Sequence, residues 1–539
     1  MPQSFLHHSC PNEVLESSGS TEKIELALIL LLGFFIRAFA CQYTYVINPD
    51  GVYYIHQARA IYYGLWGDLT NCHISFVSNY PFLIAGTYAL FRDWIVAAKA
   101  VSLVLGSTTL IFLYLLLRRF LTRDISRLST LAFALTPVFV SQSADVVRDP
   151  VSWFFITLGL YFFVISNKNR YRFFLFISCL SFLMASWARI ECILFVFVSC
   201  FYLLITPGEN RFQRLGFFSM PFALILLFIV IMAFSHELPL ADVTRLNEVG
   251  EKISAPFEAY SDLRQRLSQL MAQPFGPYDV TPHFLHKARH LVWLIALGTL
   301  FKYMLTAYFY PFFLLFMLGF RKFWQCMKKD RNVRYLFFIA ASLFILLYLH
   351  VIHRWMMFDR FWGTFIIPSF IALGYGLEKA ADFLETRFKI NQSGALAILC
   401  FVMLSCSLPK CLKPKEADKQ VFRDIGTFIA KIENHKEKIK IAKSSKTPSW
   451  VSFYANLSLK SAPCPSLNLD FQLLTTQGYE AFVQYLETEK ITYFLWEEKH
   501  WPKHGFLFFE EMKNEDFEEL GRWRHPDTGE LILFKLKPQ

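Results

Sequence analysis

Long apolar runs recur along the first three quarters of the chain, separated by short polar or charged connections. Runs of about 18 residues or more match the thickness of the bilayer hydrocarbon core. The pattern therefore predicts a polytopic α-helical membrane protein with about eleven spans. The expected spans are 24–46, 94–117, 128–140, 150–165, 173–188, 192–205, 215–234, 291–318, 335–351, 361–377 and 395–408.

The pattern changes after residue 410, where apolar and charged residues become mixed. This part predicts a small soluble α/β domain, 411–539, with a helix at 420–436 and strands at 438–442, 491–496 and 530–535. The remaining expected limits are a cytoplasmic tail at 1–23 and a membrane domain at 24–410 with external loops at 47–93 and 236–290. The tail lacks the basic region and cleavage site of a signal peptide, so the first span is expected to be an uncleaved anchor.

The charge distribution predicts the orientation. Lys and Arg number 54 against 43 Asp and Glu, and 54% of the residues are hydrophobic. The basic residues lie mainly in alternate short loops, which the positive-inside rule assigns to the cytoplasm, so binding to nucleic acid is not needed to explain them. With an odd number of spans, the C-terminal domain is expected outside the cytoplasm.

The eleven cysteines form no CxxC pair and indicate no metal cluster. Several lie inside apolar runs and are expected to pack as small hydrophobic residues. A disulfide remains an alternative for those that face an oxidising compartment, although the sequence cannot pair them. The candidates are Cys41, Cys72, Cys411 and Cys464.

The first external loop opens with a helix-start pattern. Asn48 is a good N-cap, and Pro49 suits the first helical position. Asp50 then falls in the first turn, where the helix dipole favours a carboxylate that accepts a proton or holds a cation. The alternative is that Asp50 only starts the helix. Residues on its face that are candidates for substrate binding are Tyr53, Tyr54 and Gln57.

Basic residues also collect at the expected outer ends of spans, against the positive-inside rule. Charges near the bilayer cost several kcal/mol unless they are paired or solvated, so the set indicates an anionic ligand such as a lipid phosphate. Alternatively, each residue is an interface anchor, or is neutralised by its neighbour Asp149, Glu191 or Asp359. The set is Lys99, Arg148, Arg189, Arg354 and Arg360.

Other candidate chemistry is weaker. His286 and His290 have i, i+4 spacing, but the chain has no HExxH motif, so exposed loop histidines are the expected reading and no metal ligands are assigned. The sequence has no nucleotide-binding glycine pattern at a strand-to-helix turn. His353, beside Arg354, is kept as a candidate substrate-binding residue.

Four stretches of the chain resemble motifs of a known superfamily. They are Pro49-Asp50-Gly51-Val52-Tyr53-Tyr54, Asn79-Tyr80-Pro81-Phe82 with Ala97-Ala98-Lys99, Trp187-Ala188-Arg189-Ile190-Glu191, and Asp359-Arg360-Phe361-Trp362. With their order and spacing, the chain resembles GT-C glycosyltransferases that use polyprenyl-phosphate sugars, similar to bacterial protein O-mannosyltransferases and lipid A aminoarabinose transferases. The family usually has Asp-Glu at Asp50-Gly51, two prolines at Tyr80-Pro81, and arginine at Lys99.

The resemblance implies an inverting sugar transfer from a polyprenyl-phosphate donor to a lipid, glycan or protein acceptor. By resemblance, Asp50 deprotonates the acceptor, and the departing phosphate is stabilised by Lys99, Arg148, Arg189 and Arg360. The loss of the second acidic residue weakens the case for a metal pair, and use of a divalent metal stays open. The resemblance favours a bacterial cytoplasmic membrane, with endoplasmic reticulum as the alternative.

Two other functions fit many spans and a cationic cavity. A polyprenyl-lipid flippase or transporter usually shows repeated halves, and no internal repeat is evident here. A receptor or scaffold without chemistry would make Asp50 dispensable.

Overall fold

The computed structural model describes residues 20–166, 171–207, 210–234, 246–276, 279–433, 437–444, 446–465 and 471–537. Most of the expected tail 1–23 and the start of the expected loop 236–290 lie outside the described residues. The helices are α1 (Ser20–Gln42), α2 (Pro49–Tyr62), α3 (Asn79–Phe91), α4 (Trp94–Leu117), α5 (Arg123–Ala134), α6 (Pro137–Ser143), α7 (Asp149–Ile165), α8 (Tyr171–Ala188), α9 (Ile193–Ile205), α10 (Arg211–Phe234), α11 (Leu246–Met271), α12 (Thr281–Tyr308), α13 (Tyr310–Lys329), α14 (Arg331–Arg354), α15 (Gly363–Phe388), α16 (Gln392–Cys411), α17 (Gln420–Ile432), α18 (Trp450–Ala455), α19 (Phe471–Thr476), α20 (Tyr479–Thr488) and α21 (Phe508–Glu511). The strands are β1 (Ile441–Ala442), β2 (Tyr493–Glu497), β3 (Phe517–His525) and β4 (Gly529–Leu536).

The chain divides into two compact units. The first, named the membrane unit, comprises Met1–Ala40, Ser102–Ala144 and Arg148–Lys413. The second, named the sheet unit, comprises Cys41–Val101, Asp145–Val147 and Pro414–Gln539.

Within the described residues, seven helices are long and apolar enough to cross a membrane. They are α1, α4, α8, α10, α12, α14 and α16. Two shorter apolar helices, Asp149–Ile165 and Ile190–Ile205, match two further expected spans. These helices confirm the predicted polytopic α-helical membrane protein, with fewer full-length apolar helices than the eleven spans expected.

Two of the expected spans are interrupted. The run 128–140 is split between α5 and α6, because Pro137 starts α6 and disfavours helical geometry in the residue before it. The run 291–318 is split between α12 and α13 at Phe309, which has a φ of 69°. A positive φ ends an α-helix, so continuous hydropathy here covers two helices.

Helices α13 and α15 approach closely in the membrane unit because glycines face the contact. A Cβ on Gly319 would collide with the backbone of Ala372, and one on Gly376 would collide with the backbone of Leu315. Small residues are the usual means by which membrane helices bring their backbones together. The residues around this contact belong to a large apolar core that includes Phe316.

The sheet unit contains the predicted α/β domain. Its four strands have the order β1-β2-β4-β3, with β1 and β2 parallel and the other pairs antiparallel. The three predicted strands correspond to β1, β2 and β4, whereas β3 was not predicted because its middle residues are mostly polar and partly exposed. Phe494 of β2 packs in an aromatic core with Phe482, Phe508 and Phe534.

Within the sheet unit, the α2–α3 region contacts the C-terminal part of the chain through two sets of bonds. Cys72 forms a disulfide with Cys464. Arg59, on α2, is buried and donates to the carbonyl oxygens of Ser461 at 2.7 Å, Asn456 at 3.1 Å, and Leu459. The first loop and the C-terminal part of the chain therefore share one compact unit.

Candidate active site

The predicted helix start at Asp50 is confirmed. Asn48 precedes α2 and its side-chain oxygen accepts the backbone N–H of Asp50 at 3.0 Å, while Pro49 occupies the first helical position. This cap satisfies one of the donors that a helix N-terminus leaves without a backbone partner. Asp50 is therefore carried in a defined first turn, where the helix dipole favours negative charge.

A second carboxylate, Asp145, holds this helix start from the sheet unit. Asp145 is buried, and its Oδ1 accepts the backbone N–H of Asn48 at 2.9 Å and of Val146 at 2.8 Å. Its Oδ2 accepts from Lys415 Nζ at 2.7 Å. Burial by itself raises the pKa of the Asp145 carboxyl, but Lys415 and the two N–H groups outweigh burial and lower the pKa below its usual value.

The expected substrate-binding residues on α2 occupy different environments. Tyr53 is half-buried, stacks on His73 with ring centroids 4.9 Å apart, and lies 3.4 Å from the Ser449 hydroxyl. Tyr54 is buried against the edge of Tyr80. Gln57 is also buried, and its amide nitrogen donates to the carbonyls of Leu69 at 3.1 Å and Phe76 at 2.8 Å. In this structure Gln57 therefore holds the loop that follows α2.

Lys99, a proposed phosphate ligand, contacts the segment that leads to α2. Its ammonium donates to the carbonyl oxygens of Cys41 at 2.9 Å and Thr44 at 3.1 Å. An ammonium has three N–H donors, so these two contacts use most of its capacity. In this conformation Lys99 anchors the backbone just before Asn48.

In the membrane unit, Arg189 forms a buried ion pair with Asp149. Glu191 lies 3.6 Å from the same guanidinium. The sequence alone makes Asp149 a candidate partner of its neighbour Arg148, but in the structure Asp149 pairs with Arg189, 40 positions away. Both residues can be recognised in the sequence as charged residues near span ends, but no local spacing indicates that they meet.

The ring of Phe361 brings two of the expected arginines into one cluster. Arg189 lies over this ring at 4.5 Å from its centroid, and Arg360 lies at 5.6 Å. His350 packs edge-on against the ring at 5.4 Å. Cations are attracted to aromatic faces, so Phe361 accommodates two guanidinium groups that would otherwise repel each other.

The other expected cations of the membrane unit lie at helix ends. Arg148 is the half-buried residue immediately before α7. His353 and Arg354 form the last turn of α14, where His353 is half-buried and Arg354 is exposed. Both positions are one turn beyond His350, which contacts the Phe361 cluster.

The packing of α2 explains the glycine at position 51, where the resemblance would lead us to expect an acidic residue. A Cβ on Gly51 would lie 2.7 Å from the carbonyl oxygen and 2.8 Å from the Cβ of Val146. A larger side chain would therefore displace either α2 or Val146. A metal site built on adjacent acidic residues does not fit this helix start.

One group of side chains elsewhere in the sheet unit has metal-ligating chemistry, namely Asp418, His525 and Asp527, whose ligand atoms lie within 4.8 Å of one another. The buried His525 ring accepts backbone N–H groups of Asp527 and Thr528 on Nδ1, both at 3.3 Å. A neutral ring then carries its proton on Nε2, 3.6 Å from Asp418. This arrangement favours a histidine–aspartate pair over a metal ligand.

The membrane unit also contains an apolar cavity of about 380 Å³. It is lined by side chains of α12, α13, α14 and α15, including Phe301, Phe320, Phe337 and Phe344. Such a lining suits hydrocarbon and offers few groups to a polar ligand.

Part of the chain matches a protein family model, and nearly the whole chain is similar to solved structures. Residues 79–236 match the family model described as dolichyl-phosphate-mannose-protein mannosyltransferase. No curated protein sequence gives a significant match. The chain is similar in structure to the Archaeoglobus fulgidus oligosaccharyltransferase tethered with an acceptor peptide, with a TM-score of 0.60, 12% identity, and coverage of 97% of this chain and 74% of that chain.

The chain is also similar to ArnT from Cupriavidus metallidurans bound to undecaprenyl phosphate. The TM-score is 0.58 at 12% identity, with 97% of this chain and 100% of that chain covered. The apo form of ArnT gives a TM-score of 0.56 at 11% identity, with 96% and 100% covered. These similarities show that the chain shares the fold of ArnT and of the archaeal oligosaccharyltransferase over nearly its whole length.

Proposed function

We propose that this protein transfers a sugar, with inversion, from a polyprenyl-phosphate donor to a lipid, glycan or protein acceptor at the extracytoplasmic face of a membrane. The observation that carries the proposal is the capped helix start at Asp50, a carboxylate held in the first turn of α2 by Asn48. The family match and the fold support the same class of reaction. ArnT with undecaprenyl phosphate gives the donor class a precedent among proteins of similar fold.

In this proposal Asp50 accepts the proton of the acceptor hydroxyl or amine as the acceptor attacks the anomeric carbon. The bond from that carbon to the phosphate oxygen breaks, and the lipid phosphate leaves with the bonding electrons. A positioned base typically accelerates such a step by about 10²–10⁴-fold. Tyr53 is kept as a substrate-binding candidate, because this half-buried residue lies within one turn of Asp50.

The departing phosphate requires positive charge. Arg189, Arg360 and Arg148 are proposed ligands because guanidinium groups bind phosphate oxygens in bidentate geometry. Lys99 is the fourth proposed ligand, since an ammonium binds phosphate as a point charge. Arg189 and Arg360 already share the Phe361 ring. His353 and Arg354 are proposed to contact the sugar or its phosphate. The apolar cavity lined by Phe301 and its neighbours would take hydrocarbon of the lipid chain.

The proposal includes an orientation in which residues 411–539 face away from the cytoplasm, in a bacterial cytoplasmic membrane. The disulfide between Cys72 and Cys464 supports it, because disulfides persist in oxidising compartments.

The test is transfer of radiolabelled sugar from a panel of polyprenyl-phosphate sugars to a membrane extract, with the purified protein. Asp50→Asn should abolish transfer and leave donor binding intact, since the amide is nearly isosteric but is not a base. Asp68→Asn makes the same change in the same loop and serves as the control, with transfer expected to equal that of the wild type. Full activity in Asp50→Asn would disprove the assignment of the base. Donor binding without transfer in the wild type would favour a flippase.

A further inference from the structure

Residues 41–48, from the last residues of α1 to the residue before α2, are named the lead segment. Residues far along the chain hold its backbone. The backbone N–H of Lys415 donates to the Tyr43 carbonyl at 2.9 Å, and the Tyr45 N–H donates to the Lys415 carbonyl at 3.3 Å. These two bonds form a parallel bridge between Thr44 and Lys415. Backbone hydrogen bonds to Lys415, at the start of the C-terminal part of the chain, therefore hold the backbone of the lead segment in place.

Side chains of the same C-terminal part complete the contacts of the lead segment. Trp450 Nε1 donates to the Ile47 carbonyl at 2.8 Å, and the Ile47 N–H donates to the Tyr454 hydroxyl at 3.3 Å. Arg423 donates to the Tyr45 carbonyl at 3.3 Å. Ile47 is buried, so its backbone groups need these partners.

A chain of three contacts continues from Lys415 to Asp50. The Lys415 ammonium binds one oxygen of Asp145, and the other oxygen of Asp145 accepts the Asn48 N–H. The Asn48 side chain then accepts the Asp50 N–H. These contacts are named the relay. We propose that Lys415 and Asp145 are positioning residues for Asp50, which they act on through Asn48. This inference rests on the proposed function, in which Asp50 is the base.

The packing of α2 leaves little room for an alternative position of its first turn. Gly51 lies against Val146, the residue next to Asp145, at a distance that a Cβ could not occupy. The Val146 N–H is itself bound by Asp145. A movement of the Asp145 carboxylate therefore displaces both the cap of α2 and the surface on which its first turn packs.

The charges in the relay predict an unusual pattern among variants. Lys415→Met removes the ammonium that hydrogen-bonds the buried Asp145 carboxylate, and a buried carboxylate that loses its hydrogen-bonded partner reorients or draws in water. Asp145→Asn in the same chain removes that charge and retains a side-chain oxygen that can accept the Asn48 N–H. The double variant should therefore be more active than Lys415→Met alone. Lys415→Arg keeps the charge and should retain most of the activity.

The experiment compares these variants in the full-length protein by kcat and KM for the labelled donor. Lys415→Met should lower kcat by about 10–100-fold, the size of effect that follows from a misplaced reacting group, with KM for the donor unchanged. Lys413→Met, an exposed lysine two residues away, is the matched control and should equal the wild type. An unchanged kcat in Lys415→Met, or a double variant no better than Lys415→Met, would overturn the relay.

Hydrogen exchange of the peptide spanning residues 43–54 provides a readout that does not depend on activity. Its amides should exchange faster in Lys415→Met than in Lys413→Met, and the double variant should restore slow exchange, because Asn48 regains its acceptor. If the wild type transfers no sugar from any donor, the proposed function fails, and this comparison still decides the relay. Equal exchange in Lys415→Met and Lys413→Met would refute the relay whatever the activity.

Discussion

Cys72 and Cys464 are joined by a disulfide although they lie 392 residues apart in the chain. Cys72 belongs to the loop that follows α2, and Cys464 belongs to the segment after α18. The bond therefore holds together the two parts of the sheet unit that are most distant in sequence. Arg59 reinforces this link through three carbonyls of residues 456–461.

The disulfide should stabilise the sheet unit by restricting its unfolded chain. Cys72→Ser and Cys464→Ser should each lower stability by about 2–4 kcal/mol, and the double variant should lose no more than either single variant, because one bond is removed in each case. Thermal unfolding of the purified protein with and without reductant measures this. Reductant should destabilise the wild type and leave the double variant unchanged. Additive losses in the double variant would show that the thiols act separately.

Arg59 should also stabilise the contact between α2 and residues 456–461, through hydrogen bonds to backbone carbonyls and not through a covalent bond. Arg59→Met keeps an apolar stem but leaves carbonyls of Asn456, Leu459 and Ser461 without their donor, at an expected cost of about 2–4 kcal/mol. Arg59→Lys should recover only part of the loss, since one ammonium cannot reproduce the planar fork. The midpoint of thermal unfolding is the measurement. Lys460→Met, an exposed change in the same segment, should have little effect, and an equal loss there would contradict the explanation.

The membrane helices could be predicted from the sequence where an apolar run is uninterrupted and long enough to cross the bilayer. The span predicted at 94–117 matches α4, because an uninterrupted apolar run of bilayer length has few other stable structures. The prediction of one continuous span at 291–318 was wrong, because the backbone of Phe309 ends the helix while its apolar side chain leaves the hydropathy unchanged. Pro311, at the start of α13, was the available signal, since proline favours the first turn of a helix.

In the candidate site, contacts between neighbouring residues could be predicted from the sequence, whereas contacts between residues far apart in the chain could not. The cap at Asn48 and the place of Asp50 could be predicted because both depend on residues next to each other in sequence. The contact of Asp145 with Lys415 spans 270 residues, and no periodicity reports which lysine meets a buried carboxylate.

Asp149 and Arg189 provide a test of how buried charge stabilises the membrane unit. Arg189→Met should cost about 3–5 kcal/mol, because it leaves the buried Asp149 carboxylate without its partner. Asp149→Asn should cost less than Arg189→Met, because Glu191 still lies beside the Arg189 guanidinium. The double variant should cost less than the sum of the two. Thermal unfolding of the four proteins gives the coupling free energy directly.

The control for this pair is Lys322 with Glu378, which are also in the membrane unit and 2.6 Å apart, but are both partly exposed. Lys322→Met should cost no more than about 1 kcal/mol, as exposed pairs usually do. Additive losses at Asp149 and Arg189, or an equal loss at Lys322, would show that burial does not explain the effect.

Lys443 lies directly after β1 and is half-buried near the carboxylate of Glu497, at the end of β2. Its ammonium donates to the carbonyl oxygens of Ser444, at 3.3 Å, and Thr447. Glu497 in turn accepts from the Thr447 hydroxyl at 2.5 Å and lies 2.6 Å from His500 Nδ1. Burial lowers the pKa of Lys443 from 10.5 to about 8, although Glu497 opposes the shift.

This lowered pKa predicts a pH dependence of stability. Between pH 8 and 10.5 the unfolded chain binds the Lys443 proton and the folded protein does not, so this lysine makes stability rise with pH across that window. The rise amounts to about 3 kcal/mol at most, and Lys443→Met should abolish it. The unfolding midpoint of the wild type relative to Lys443→Met should therefore increase by several degrees from pH 8 to pH 10.5. Lys446→Met, an exposed lysine in the same loop, should follow the wild type, and a constant difference between wild type and Lys443→Met would show that Lys443 does not titrate in this window.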